Sequence, residues 1–188
     1  MRFLKVLAIG LLIVAIGILA KPTYMVAKAQ LAQVLLNNAW QRSQTEGGQH
    51  KPWSWADTYP VAKLTINNES FIVLSGMTGR TMAFGPGWLQ SSAAPNKPGN
   101  TIVSAHNDTH FSILEGLRVG DFLTLEDHEK VEMKYRVTAI DIVHSSSENW
   151  LETSAWRQLT MITCYPFEVA SGPRTQRLMV SAVAYSQG

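Results

Sequence analysis

The chain has 188 residues, of which 46% are hydrophobic and 16% are charged, and its formal net charge is +2 at pH 7. A chain of this length buries one core of ordinary size, so we expect one domain with short appendages. The small net charge and the low density of charged residues exclude a basic stripe for nucleic acid.

Residues 1–22 predict a transmembrane signal-anchor. Residues 6–20 are uninterrupted apolar sequence, and the apolar span approaches the lower limit of about 17 residues for crossing a bilayer. Arg2 and Lys5 precede this span, so the N-terminus is expected to stay cytoplasmic and the rest of the chain to lie outside the cytoplasmic membrane. The alternative is a cleaved signal peptide, but the end of the span lacks the small-x-small pattern typical of a cleavage site.

Residues 23–42 predict an amphipathic helix, with good helix formers and apolar residues at 31, 34 and 35 on one side. Residues 43–59 predict a linker, which contains two glycines and leads into a tryptophan-rich segment. Trp53 and Trp55 in this segment suit either an interfacial belt or packing on the outside of the domain. We favour packing because the linker separates them from the membrane.

From residue 60 to residue 188 the pattern is that of an all-β domain. Apolar and β-branched runs, some of them alternating, recur between turn signals, which predicts seven or eight strands in a barrel. Short helical stretches are expected near Trp88 and over residues 112–117. The expected strands cover residues 62–66, 71–74, 101–105, 122–125, 133–143, 159–163 and 178–185.

The single cysteine, Cys164, lies at the end of one predicted strand. A loop containing two prolines and a glycine follows, and Arg177 opens the next predicted strand. If these strands pair antiparallel, Cys164 and Arg177 face each other at one edge of the sheet. A guanidinium favours thiolate and can stabilise an oxyanion. The alternative is that Cys164 is only a small buried hydrophobic residue.

A histidine completes a possible catalytic set. His106 follows the predicted strand 101–105 and stands beside a polar cluster, in the sequence GNTIVSAHNDTHF. A cysteine, a histidine and an arginine at strand ends can serve as nucleophile, acid/base and oxyanion stabiliser. Arg174 is a rival for the oxyanion role, but it lies inside the loop, whereas Arg177 is fixed by the strand that it opens.

These motifs resemble those of the sortases, the cysteine transpeptidases of bacterial cell surfaces. The resemblance rests on TCYPF followed by an arginine that opens an RLxV strand, on AHxDTHF, and on the LxxLxxGD that follows it. The segments AKAQLAQVLLNNAW, KPWSWADTYPVAKL and AFGPGWL extend it over nearly the whole chain, and they are similar to the proteobacterial, marine-type subgroup. Asn107 departs from the pattern, since relatives often carry arginine there.

The resemblance implies a closed β-barrel with a triad of His106, Cys164 and Arg177. It implies that the barrel lies in the periplasm and cleaves a secreted protein at a C-terminal sorting motif through a thioacyl enzyme. The acyl group would pass to an unknown amine or to water, and no cofactor is expected. We expect Tyr165, Pro166 and Phe167 to wall the substrate groove.

Two other functions stay open. His106, Asp108 and His110 recur at every second position, a spacing that could serve a metal-dependent hydrolase. We favour hydrogen bonds from Asp108 and Thr109 that orient the histidine loop instead. The other alternative is a non-catalytic, membrane-tethered barrel that binds a partner.

Overall fold

The computed structural model describes residues 2–147, 151–152, 154–168 and 174–185. Within these residues a long helix leads into eight strands that close a barrel in the order β1-β2-β3-β4-β7-β8-β6-β5. The closed all-β barrel expected from the sequence is thus confirmed. The elements are α1 (Arg2–Glu46), β1 (Pro60–Ile66), β2 (Glu69–Ser75), α2 (Gly79–Met82), β3 (Gly87–Trp88), β4 (Gly99–Ser104), a 3-10 helix (Ser112–Gly116), β5 (Phe122–Asp127), β6 (Glu132–His144), β7 (Arg157–Tyr165) and β8 (Gln176–Ala184).

Helix α1 runs without interruption from Arg2 to Glu46 and contains Pro22. It ends just before Gly47 and Gly48, whose φ angles of 72° and 79° cost little without a Cβ. The helix therefore continues four residues beyond the expected end at residue 42. No helix in the part of the chain that the structure describes is long and apolar enough to cross a bilayer, so the transmembrane part of the prediction is not confirmed.

The C-terminal half of α1 packs on the outside of the barrel. Leu36 and Trp40 are buried against Ile72 and Leu74 of β2. The buried face of the helix consists of Ala32, Leu36, Ala39, Trp40 and Ser43. Leu31 and Val34 are more than half exposed, so the side of the helix that the sequence marks as apolar is not the side that packs on the barrel.

The two tryptophans after the helix differ in their surroundings. Trp53 packs edge-on against Phe84, with ring centroids 5.1 Å apart. Trp55 is 83% exposed. The packing interpretation therefore holds for Trp53 and fails for Trp55.

The barrel core is filled by the inward-facing residues of the strands. Leu64, Val103, Met161 and Val180 are fully buried there, one from each of β1, β4, β7 and β8. Tyr135 of β6 lies in the same cluster, and its hydroxyl donates to Oδ1 of Asn96 at 3.1 Å. Burial raises the pKa of Tyr135 to about 12.

Local turn chemistry sets the β1–β2 hairpin. Asn67 and Asn68 have φ angles of 47° and 69°, and Ile66 pairs with Glu69 across the turn. Two positive φ angles are those of a type I′ turn, which asparagine accepts more readily than most residues.

Near Trp88 the expected helix is absent from the structure: Gly87–Trp88 is a short strand that bridges β2 and β4. The expected helical stretch after Phe111 is present as the 3-10 helix.

Candidate active site

Cys164 and Arg177 are directly opposed in the antiparallel pair β7–β8. Residues that pair directly share one face of a sheet. Leu178 and Val180 point into the core, so by alternation Arg177 points to the outer face, and Cys164 lies on that face with it. Both residues are half-buried. The two predicted strands therefore pair antiparallel, and Cys164 and Arg177 face each other as expected.

His106 reaches the same place from the other side of β7. Strand β4 runs parallel to β7, with Ser104 level with Ile162. The amide of Ala105 donates to the carbonyl of Ile162 at 3.3 Å, and the Thr163 hydroxyl donates to the carbonyl of Ala105 at 2.8 Å. These bonds hold the end of β4 against β7. His106, which is exposed, follows Ala105 directly and so begins the turn at the end of β7 that carries Cys164.

The guanidinium of Arg177 is anchored by the loop in front of its own strand. Its Nη1 donates to the carbonyls of Arg174 and Gln176, each at 2.8 Å. A guanidinium carries five N–H donors, and these two bonds occupy those of Nη1. Within the described residues the donors on Nε and Nη2 make no hydrogen bond, so they can serve a substrate oxygen. The two carbonyls hold the guanidinium in place through Nη1, and its other nitrogens can bind a substrate oxygen.

Arg174 has a different partner. Its Nη1 donates to Oδ1 of Asn107, and the amide nitrogen of Asn107 donates to the carbonyl of Pro166 at 3.1 Å. Asn107 is buried although its neighbour His106 is exposed. Sequence reasoning noted Asn107 only as a departure from the family pattern and did not assign it a contact. The sequence signal that could have indicated a contact at the site was the position of Asn107 directly after His106.

Thr109 and His110, in the polar segment after His106, contact each other. The hydroxyl of Thr109 lies 3.4 Å from Nδ1 of His110, and Asp108 is exposed. His110 packs edge-on to Phe71, with ring centroids 6.1 Å apart. Burial first, and then the charge of His106, hold the pKa of His110 below its ordinary value. His110 is therefore a neutral, half-buried side chain at neutral pH.

Tyr165 and Phe167 flank Pro166 directly after the cysteine. Their rings meet edge-to-face with centroids 6.3 Å apart, and both side chains pack against the barrel core. Pro166 itself is exposed. The aromatic pair therefore packs on the core directly after Cys164 in the chain.

Metal binding finds no support in the geometry. Among the residues that the structure describes, no three histidine, cysteine, aspartate or glutamate side chains come close enough to hold a metal ion. His106, Asp108 and His110 alternate in the sequence, but the chain turns directly after β4 and is not extended there. A two-residue period places side chains on one face only in an extended strand.

A family model for the sortase domain matches residues 64–185, which include all eight strands except the first residues of β1. The chain belongs to the sortase family. It is accordingly a cysteine transpeptidase, and the sequence-based identification of the family and of the enzyme class is confirmed. Sortases act on secreted proteins that carry a sorting motif.

Solved sortase structures share the fold. Sortase C-1 from Actinomyces oris is 25% identical, with a TM-score of 0.61 over 68% of this chain and 75% of that one. A sortase D5 transpeptidase from Clostridium perfringens is 16% identical, with a TM-score of 0.67 over 84% and 99%. A lid mutant of sortase A from Corynebacterium diphtheriae is 20% identical, with a TM-score of 0.63 over 89% and 96%. No curated protein matches this sortase by sequence. Its placement in the proteobacterial subgroup stays a prediction.

Proposed function

We propose that Cys164, His106 and Arg177 are the catalytic residues of this transpeptidase. The observation that carries the proposal is the direct pairing of Cys164 with Arg177, with the end of β4 hydrogen-bonded to β7 one residue before His106. These contacts support a site in which a thiol, an imidazole and a guanidinium act together.

The proposed reaction has two halves. The Cys164 thiolate attacks a peptide carbonyl of the sorting motif, and Arg177 stabilises the oxyanion through Nε and Nη2. His106 gives a proton to the leaving amine as the peptide C–N bond breaks, which leaves a C–S bond in a thioacyl enzyme. In the second half His106 takes a proton from an incoming amine or water, a new bond forms to the acyl carbon, and the C–S bond breaks.

The surroundings suggest how substrate is held. Tyr165, Pro166 and Phe167 follow the cysteine directly, and we propose that this segment walls the groove for an extended peptide. We further propose, from the apolar residues 6–20 and the basic residues before them, that the N-terminal segment anchors the enzyme in the cytoplasmic membrane and leaves the barrel in the periplasm.

The test uses a pool of degenerate dye-labelled peptides with hydroxylamine as the amine acceptor. The purified protein should convert some members to hydroxamates, and rapid quenching should yield a peptide adduct on the fragment that contains Cys164. Cys164→Ala should form neither product. Hydroxamate formation by Cys164→Ala at a rate within tenfold of wild type would refute the nucleophile assignment.

A further inference from the structure

The side chain of Asn107 uses both ends of its amide. It is 3% exposed, its nitrogen donates to the carbonyl of Pro166 at 3.1 Å, and its oxygen accepts from Arg174. A buried amide with both ends bonded is fixed in one orientation, because either bond would be costly to leave unmade.

These two bonds reach the segments that carry the other two catalytic side chains. Pro166 lies two residues after Cys164 in the same segment. The carbonyl of Arg174 accepts from Nη1 of Arg177 at 2.8 Å. Asn107 itself directly follows His106. One side chain therefore joins the backbone beyond the cysteine, the backbone of the histidine and the loop that anchors the arginine.

We propose that Asn107 is a positioning residue that sets the relative placement of His106, Cys164 and Arg177, an inference that rests on the proposed function of these three residues.

The physical reason lies in how each catalytic side chain is held. Strands β4, β7 and β8 fix the three positions from the barrel side through their ladder hydrogen bonds. On the loop side the Asn107 amide links the segment of His106 to those of Pro166 and Arg174. A displacement of about 1 Å in a reacting group can cost about 10²-fold in rate. In this arrangement Arg174 supports Arg177 and does not contact the oxyanion.

The experiment compares Asn107→Leu with a matched control, Asn100→Leu. Asn100 is also buried, lies on β4 at the end away from His106, and its amide bonds the carbonyl of Glu152 and the Thr160 hydroxyl. Both changes replace a buried asparagine with leucine. Asn100 lies in β4, and Asn107 lies in the segment that follows β4. Thermal unfolding reports the structural cost of each, and hydroxylamine transfer from the peptide pool reports the rate.

A further readout separates positioning from general destabilisation. The rate of Cys164 alkylation by iodoacetamide is measured against pH, because it reports the thiolate fraction. In folded Asn107→Leu we expect transfer to fall by about 10- to 100-fold. We also expect the alkylation profile to differ from that of wild type, because the positions of His106 and Arg177 relative to the Cys164 thiol change. Asn100→Leu should change only the unfolding temperature.

Arg174→Met tests the same link from its other end and serves if Asn107→Leu does not fold. It should lower transfer by a smaller factor, and the double variant should be no slower than Asn107→Leu alone, because both remove one connected set of bonds. Unchanged transfer and an unchanged alkylation profile in folded Asn107→Leu or Arg174→Met would overturn the proposal. If wild type transfers no peptide, the proposed function fails, and the alkylation profile still decides the role of Asn107.

Discussion

Replacing Arg177 with lysine should keep the positive charge and lose most of the catalysis. Nη1 donates to the carbonyls of Arg174 and Gln176 at 2.8 Å, and within the described residues the three N–H donors on Nε and Nη2 are left for the substrate oxyanion. Lysine has one nitrogen, so an ammonium that satisfies the carbonyls cannot also occupy the positions of Nε and Nη2. The loss of one oxyanion donor costs about 10²- to 10³-fold, or about 3–4 kcal/mol.

The assay is the single-turnover rate at which the peptide adduct forms on Cys164, measured across pH in both arginine variants. Arg177→Lys should slow acylation by about 10²-fold or more. The rate profile should stay bell-shaped with nearly unchanged limbs, because those limbs belong to the coupled cysteine and histidine. Arg174→Lys is the control: it can still donate to Asn107 and should remain within about tenfold of wild type. The reverse ranking would move the oxyanion role to Arg174 and refute the reasoning.

Four other outcomes are expected. Cys164→Ala should fold with an unfolding free energy within about 1 kcal/mol of wild type, since it removes one half-buried sulfur, and a larger loss in urea titration would contradict this. Protease added outside the cytoplasmic membrane should cut within residues 41–50 and release a soluble fragment, whereas protection of that region would reverse the proposed orientation. Burial holds the pKa of Tyr135 at about 12 in the folded state, so as pH rises the unfolded chain loses the phenol proton first. The free energy of unfolding should therefore fall between about pH 10 and about 12. In urea titrations Tyr135→Phe should lack this part of the alkaline loss of stability. His106→Asn should raise the NMR titration midpoint of His110 because it removes the second cause of the lowered pKa, and an unmoved midpoint would contradict coupling of the two rings.

Local chemistry made much of the barrel predictable. The Asn67-Asn68 turn between two alternating runs places a hairpin where β1 and β2 meet. Cys164 and Arg177 end and open two runs separated by a loop rich in proline and glycine, which predicts that they face each other. Each of these features depends on residues close together in the chain, and their backbone preferences can be predicted from the sequence without knowing the fold.

The sequence did not predict strand β3 or the buried face of α1. Gly87–Trp88 is only two residues long, and its pairing depends on β2 and β4 already lying on either side of it. The face of α1 depends on which side chains find Ile72 and Leu74 beneath them, and the pattern at 31, 34 and 35 carried no information about that surface.

The sequence by itself determined that a cysteine, a histidine and an arginine stand at strand ends, because strand and loop signals are local. Only the tertiary structure decided that β4 lies parallel to β7, which brings the end of β4, just before His106, to the end of β7 that carries Cys164. It also decided the bonds of Asn107 to Pro166 and Arg174, across sequence separations of 59 and 67 residues. Such contacts depend on the order of strands around the closed barrel, which no short stretch of sequence specifies because it is set by the packing of all the strands together.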